Sequence, residues 1–282
     1  MNAPITTVWL LDGEKIQSGP VVIKISRSKK IIMHSLVNKL LGFFVLVLVV
    51  SSCSKDGTEK ANAASSTGKA GSLSKFTIVG NYLYAVDNHY LYSYDISNPA
   101  NPVRTHSSEI NFDIETIYPF NNRLFIGTRT GLYIYSLDVP ATPVKVGEAQ
   151  HARSCDPVVA NDSIAFVTLK GNSFCGPAES GLYVHDIRNI FQPLLIKTVA
   201  MANPEGLGLQ GSYLYICCNN EGLKVFDVSV PSNPVEVKTV TGGYFKDVIP
   251  YGNQLICYVS TGINLYDISN PSDPVLVKQI SN

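Results

Sequence analysis

Net charge is what this sequence most plainly lacks: 22 lysines and arginines are matched by 22 aspartates and glutamates, with no basic run. Proteins that neutralise nucleic-acid phosphates need a basic patch or stripe, so nucleic-acid binding is excluded. Tryptophan (one) and methionine (three) are scarce against 15 tyrosines, a balance that suits strands better than helices. There is no phosphate-cradling glycine loop, no HExxH helix and no nucleophile paired with a base. No catalytic residue, metal-ligand set or cofactor is assigned. A spanning apolar segment is missing too, because the run Leu40 to Val50 has only 11 residues, short of the roughly 20 a transmembrane helix needs.

That short run has another use. Lys39 precedes it and Ser51, Ser52 and Cys53 follow, the layout of a secretory h-region with small residues after it. Val50-Ser51-Ser52-Cys53 resembles a bacterial lipobox, which implies cleavage before Cys53 and acylation of that cysteine; a buried segment with a chance cysteine is the alternative. Two or more acyl chains anchor a protein stably to a membrane. Met33 to Ser52 spans 20 residues, an ordinary leader length, so residues 1–52 read as a signal peptide with an over-long start and Met33 as the true beginning. Residues 53–72 read as the lipidated cysteine and a polar flexible tether. Within it Ser54-Lys55-Asp56 resembles the export signal of surface-displayed lipoproteins, although a plain tether fits equally well. The expected location is the bacterial cell envelope, at the outer membrane, on its surface or facing the periplasm.

From residue 73 onward one phrase recurs. Tyr94-Asp95-Ile96-Ser97-Asn98-Pro99 returns as Tyr266-Asp267-Ile268-Ser269-Asn270-Pro271, with looser copies at Tyr135, His185 and Phe226. The second positions, Asp95, Ser136, Asp186, Asp227 and Asp267, lie 41, 50, 41 and 40 residues apart. A period near 40 is that of a propeller blade. In the second repeat, Glu115–Phe120, Arg123–Thr128, Leu132–Leu137 and Val144–Ala149 are short β-branched or aromatic segments divided by Asn, Gly and Pro, hence four strands a to d. The phrase is the c-to-d turn: its Asp caps backbone N–H groups, and its prolines stop the strand. One carboxylate per turn is too few for calcium.

Tyr-Asp-Ile-Ser-Asn-Pro with a second proline three residues on resembles the LVIVD repeat of secreted and lipid-anchored bacterial proteins, over roughly Leu73 to Ser281. The match is specific in repeats one, four and five. The resemblance implies a β-propeller and no established catalysis. The expected fold is therefore all-β, a monomeric propeller of five four-stranded blades over residues 73–282, closed by face packing between blades one and five.

The spacing of 50 reflects an insertion, Leu169 to Ser180, that carries Cys175. Cys155 enters strand a of the same repeat, and d-to-a and b-to-c loops emerge on one face of a propeller. A Cys155–Cys175 disulfide is expected, consistent with export and stabilising by about 3 kcal/mol. Neighbouring His151 does not complete a zinc set. Strand alignment turns Cys217 toward Cys257 and Cys218 away from it; inert buried thiols are the favoured state and a Cys217–Cys257 bond the alternative.

Nine residues before aligned strand-b positions stand Glu115, Asp156 and Glu205, a carboxylate at one register near the channel mouth. Repeat five offers Lys246-Asp247 there and repeat one Ser74. His151, Arg153 and Tyr244 complete the candidate binding face. Such a ring suits a cation or a basic group, and crowding would raise a carboxylate pKa; the competing expectation is that each carboxylate accepts hydrogen bonds from backbone N–H groups of the next blade or from channel water. The sequence thus favours a non-catalytic binding or scaffold propeller for a protein or glycan, with a metal-dependent hydrolase or lyase as the alternative.

Overall fold

The structure is a computed structural model and describes residues 71–110, 113–151, 157–171 and 179–281. Cys53 and the segments before residue 71, and Arg153, Cys155, Asp156 and Cys175, lie outside the described residues.

The described chain is a β-propeller of five four-stranded antiparallel sheets, each drawn from one continuous stretch of sequence. Blade 1 holds β1 (Phe76–Val79), β2 (Tyr82–Val86), β3 (Tyr90–Asp95) and β4 (Val103–Glu109). Blade 2 holds β5 (Ile114–Phe120), β6 (Arg123–Thr128), β7 (Gly131–Ser136) and β8 (Val144–Gln150). Blade 3 holds β9 (Val158–Ala160), β10 (Ile164–Leu169), β11 (Gly181–Asp186) and β12 (Leu194–Ala200). Blade 4 holds β13 (Leu207–Gln210), β14 (Tyr213–Cys217), β15 (Leu223–Asp227) and β16 (Val235–Val240). Blade 5 holds β17 (Phe245–Tyr251), β18 (Gln254–Val259), β19 (Gly262–Asp267) and β20 (Val275–Ser281).

The recurring phrase does what its chemistry dictates. Asp95, Asp186, Asp227 and Asp267 each accept the backbone N–H two residues on, at 2.7 to 3.0 Å, and Ser136 Oγ does the same for Asp138. The residue between is tied back to the a-to-b turn: Ile96, Leu137, Ile187, Val228 and Ile268 donate N–H bonds of 2.8 to 2.9 Å to Asn81, Asn122, Ser163, Ser212 and Asn253. A register shift falls at one place in all five c–d pairs, such as Ser93/Tyr94 and Leu265/Tyr266. Extra residues of this kind bend the outer strand and strengthen its twist.

Blades pack through alternating strand positions. Tyr84, Val86 and Leu91 meet Ile117, Leu124 and Ile126 between blades 1 and 2. Phe125 and Ile134 meet Val158 and Val167 between blades 2 and 3, and Phe166 and Val184 meet Leu214 and Phe226 between blades 3 and 4. Tyr215 and Cys217 meet Val248 and Cys257 between blades 4 and 5. Two joints carry the same staple: Tyr84 Oη donates to Pro140 O at 2.8 Å, and Tyr215 Oη to Pro271 O at 2.9 Å. Face packing between blades 1 and 5, expected from the count of repeats, is not among the cores of the described residues.

Candidate functional site

Glu115 lies one residue into β5, and Glu205 in the turn that enters β13, as the nine-residue spacing places them. Each is met by a cation from its own blade or the blade before. Arg129, in the b-to-c turn of blade 2, reaches Glu115 Oε1 at 3.2 Å through Nε and Asp113 Oδ2 at 3.1 Å through Nη1. Lys170, beyond the end of β10, reaches Glu205 Oε1 at 2.6 Å, while Thr168 Oγ1 donates to the Glu205 carbonyl at 2.7 Å. These ion pairs bind blade 2 to itself and blade 3 to blade 4.

Asp247 departs from the ring. The pairing of β17 with β18 shifts between Phe245 and Asp247, which leaves Lys246 opposite neither neighbour and equivalent to Glu115. The Asp247 carboxylate turns instead to the segment leading into blade 1. Ser72, buried to 1% exposure, donates its hydroxyl to Asp247 Oδ1 at 3.3 Å and accepts the Leu207 N–H at 2.7 Å. Backbone hydrogen bonds from Ser72 and Leu73 also favour its charge, but burial dominates and raises the carboxyl to about 6. Solvent removal, rather than repulsion between ring carboxylates, sets this value.

Glycine makes room for the clasp. A Cβ on Gly206 would sit 2.2 Å from Asp247 Oδ1 and 2.8 Å from the Lys246 carbonyl, and Gly206 N donates to that carbonyl at 3.0 Å. One on Gly71 would sit 2.2 Å from Asp247 Oδ2. The lead-in thus crosses from blade 1 to the inner strands of blades 4 and 5, and its Ser74 carbonyl accepts the Ile117 N–H of blade 2 at 2.9 Å.

Elsewhere on the candidate face, His151 donates its N–H to Thr130 O, and the Tyr244 carbonyl accepts the Ser260 N–H. Arg153, Asp156 and the Cys155–Cys175 pair lie outside the described residues. Among the described residues no three His, Cys, Asp or Glu side chains form a metal-binding group. Cys217, Cys218 and Cys257 are free and buried; burial pushes all three thiols up, Cys218 to about 12. Cys217 shares its core with Cys257, and Cys218 faces blade 3, as the strand alignment predicts.

Two features carry no motif. His185, on β11, is buried with Nδ1 lacking a hydrogen-bond partner, and burial, helped by His151, lowers it to about 4. The other is a groove of about 530 Å³ along the outer rim between blades 1 and 2, lined by His106, Ser108, Tyr133, Lys145, Glu148 and Gln150 among others. Its volume is that of small-ligand sites. Along it β4 offers Ser108 where other outer strands place Ala149 or Val199. Those aliphatic side chains pack against the cores of their joints. The polar string Thr105-His106-Ser107-Ser108 was the available signal. Lys145 Nζ bonds Glu148 at 2.8 Å and lies 5.3 Å from the centre of the Tyr133 ring, so the groove presents an ordered charged wall.

The comparisons agree with this architecture. The LVIVD repeat model matches residues 68–108, 205–241 and 242–281, so the chain carries LVIVD repeats in blades 1, 4 and 5. No curated protein matches the sequence significantly. Among solved structures, a functionally unknown protein from Desulfotomaculum acetoxidans is similar with TM-score 0.58 and 11% identity, over 72% of this chain and 66% of that one. The periplasmic gluconolactonase PpgL of Pseudomonas aeruginosa gives 0.55 and 12%, over 72% and 68%. BamB from Moraxella catarrhalis gives 0.52 and 6%, over 67% and 55%. At such identities the likeness concerns the fold. The chain spans just under two thirds of the first of these proteins and just over half of the last.

Proposed function

We propose that the chain is a lipid-anchored protein of the bacterial cell envelope whose propeller binds or scaffolds a protein or glycan partner without catalysing a reaction. The observation that carries the non-catalytic reading is the engagement of the nominated carboxylates. Arg129 holds Glu115, Lys170 holds Glu205, and the lead-in holds Asp247. A carboxylate whose charge is already offset by a cation at hydrogen-bond distance attracts a second cation more weakly. The rim groove between blades 1 and 2 supplies the binding surface, with donors and acceptors on both walls. Anchoring rests on the lipobox-like Val50-Ser51-Ser52-Cys53 and the polar tether behind it.

Two measurements test the reading. Cys53→Ala should move the protein from the membrane fraction to the soluble fraction, and unchanged fractionation overturns the anchor. Full-length protein extracted from membranes should contain no stoichiometric metal and show the same melting temperature with and without calcium. A bound metal whose removal lowers that temperature, and which depends on Glu115 and Glu205, overturns the non-catalytic reading in favour of a metal-dependent hydrolase or lyase.

A further inference from the structure

The propeller has five blades and four apolar joints. In each joint, strands b and c of one blade present alternate residues to strands a and b of the next. Among the described residues blade 5 presents the same positions to no further blade: Ile256 stands where blade 1 has Tyr84, Tyr258 where it has Val86, and Ile263 where it has Leu91. Tyr84 and Leu91 are 0% exposed, whereas Tyr258 is 49% and Ile263 38% exposed. Blade 1 shows the other half of the pattern. Phe76 stands where blade 2 has Ile117, and is 60% exposed against 0%; Ile78, where blade 2 has buried Pro119, is 40% exposed.

We propose that these two surfaces are the two halves of one further joint, and that it is filled by a second copy of this chain, blade 5 of one packed on blade 1 of the other. Continuity with the four internal joints argues for this occupant. Each uncovered face is built to receive the blade type found at the opposite end of the same chain, and exposed tyrosine, phenylalanine and isoleucine are a large cost to leave in water. Among the described residues of one chain no blade covers these faces, although the Ser72–Asp247 clasp holds the lead-in against blade 5.

Area favours engagement of both ends. Four strands about 4.8 Å apart and roughly six residues long cover about 400 Å². One joint then buries roughly 800 Å² over both partners, marginal for a stable contact, and two such joints per assembly reach the standard range of about 1,600 Å². The contact is head to tail, so it closes into a ring or extends as a chain.

The test uses two full-length copies of different tag length expressed together, one carrying Phe76→Cys and the other Tyr258→Cys, treated in intact membranes with a flexible bis-maleimide. The expected product is a mixed species at the summed mass of the two copies, absent when both copies carry Phe76→Cys. No mixed product, or equal product from the Phe76→Cys pair, overturns the proposal. Both substitutions in one copy should also give products larger than one chain; a product of single-chain mass with an internal cross-link shows that the propeller closes on itself and likewise overturns it. Tyr258→Asp, an exposed position that leaves the fold intact, should shift the extracted protein to single-chain sedimentation; unchanged sedimentation counts against the proposal.

Discussion

Replacing Asp247 with Asn should make the stability difference between variant and wild type depend on pH in one direction only. In the folded protein the Asp247 carboxyl titrates near 6, against 3.8 when free, because burial opposes its charge more than Ser72 and Leu73 support it. Between those values the folded state holds the extra proton, so raising the pH through this window removes stability. A shift of about two units corresponds to at most about 3 kcal/mol. His185 acts oppositely: its folded value of about 4 lies below the free value of 6.5, so the unfolded chain takes up the proton and stability rises with pH between them. The two slopes largely cancel in the wild type, which is why the difference must be measured. Asn keeps an acceptor oxygen for the Ser72 hydroxyl and cannot ionise, while His185 is common to both proteins. Urea denaturation of the purified full chain at intervals from pH 4 to 7.5 should show Asp247→Asn gaining on the wild type by up to about 3 kcal/mol as the pH rises. A difference that is flat, or that favours the wild type at neutral pH, refutes the account of a buried carboxylate strained by ionisation.

Gly206→Ala should destabilise by about 1 to 3 kcal/mol, the usual cost of overpacking, because its methyl meets the Asp247 carboxylate at 2.2 Å and a backbone carbonyl at 2.8 Å; thermal denaturation checks this, and a neutral outcome would mean that blade 4 does not close on Asp247 there. Tyr84→Phe and Tyr215→Phe should each cost about 1 kcal/mol by leaving the Pro140 or Pro271 carbonyl without its donor. The two joints share no residues, so the double substitution should cost the sum, read from the midpoints of urea unfolding.

The architecture was legible because the phrase around Asp95 recurs and its chemistry is local. A carboxylate two residues before an N–H and prolines that cannot join a ladder define a turn in any context, so blade 2 was bounded to within one residue at every strand end. Strand alternation likewise separated Cys217 from Cys218. The pairing of the carboxylates was not legible: Arg129 and Lys170 stand 41 residues apart at one position of the b-to-c turn, but which carboxylate each side chain reaches depends on loop paths that no spacing shows. The placement of Asp247 was not legible either: β17 and β5 shift register alike, so Lys246 takes the position of Glu115 and Asp247, one residue on, falls at that of Thr116. The unfilled fifth joint was hidden for a different reason. Phe76 and Tyr258 look like core residues in sequence, and only their exposure reveals that no blade lies over them.

Because every blade is a single uninterrupted stretch, the order of synthesis is also an order of assembly. A propeller that shares a blade between its two ends must wait for its last strand before its first blade is whole. Here blade 1 is complete once Glu109 has emerged, and each later blade finds a finished template, which keeps contacts short-range and limits the apolar surface exposed while the chain folds. The exception is Ser72. Among the first of the described residues to be made, it finds its carboxylate only after Asp247 has been added, 175 residues later, so the opening residues of the propeller become the seal of its finished state.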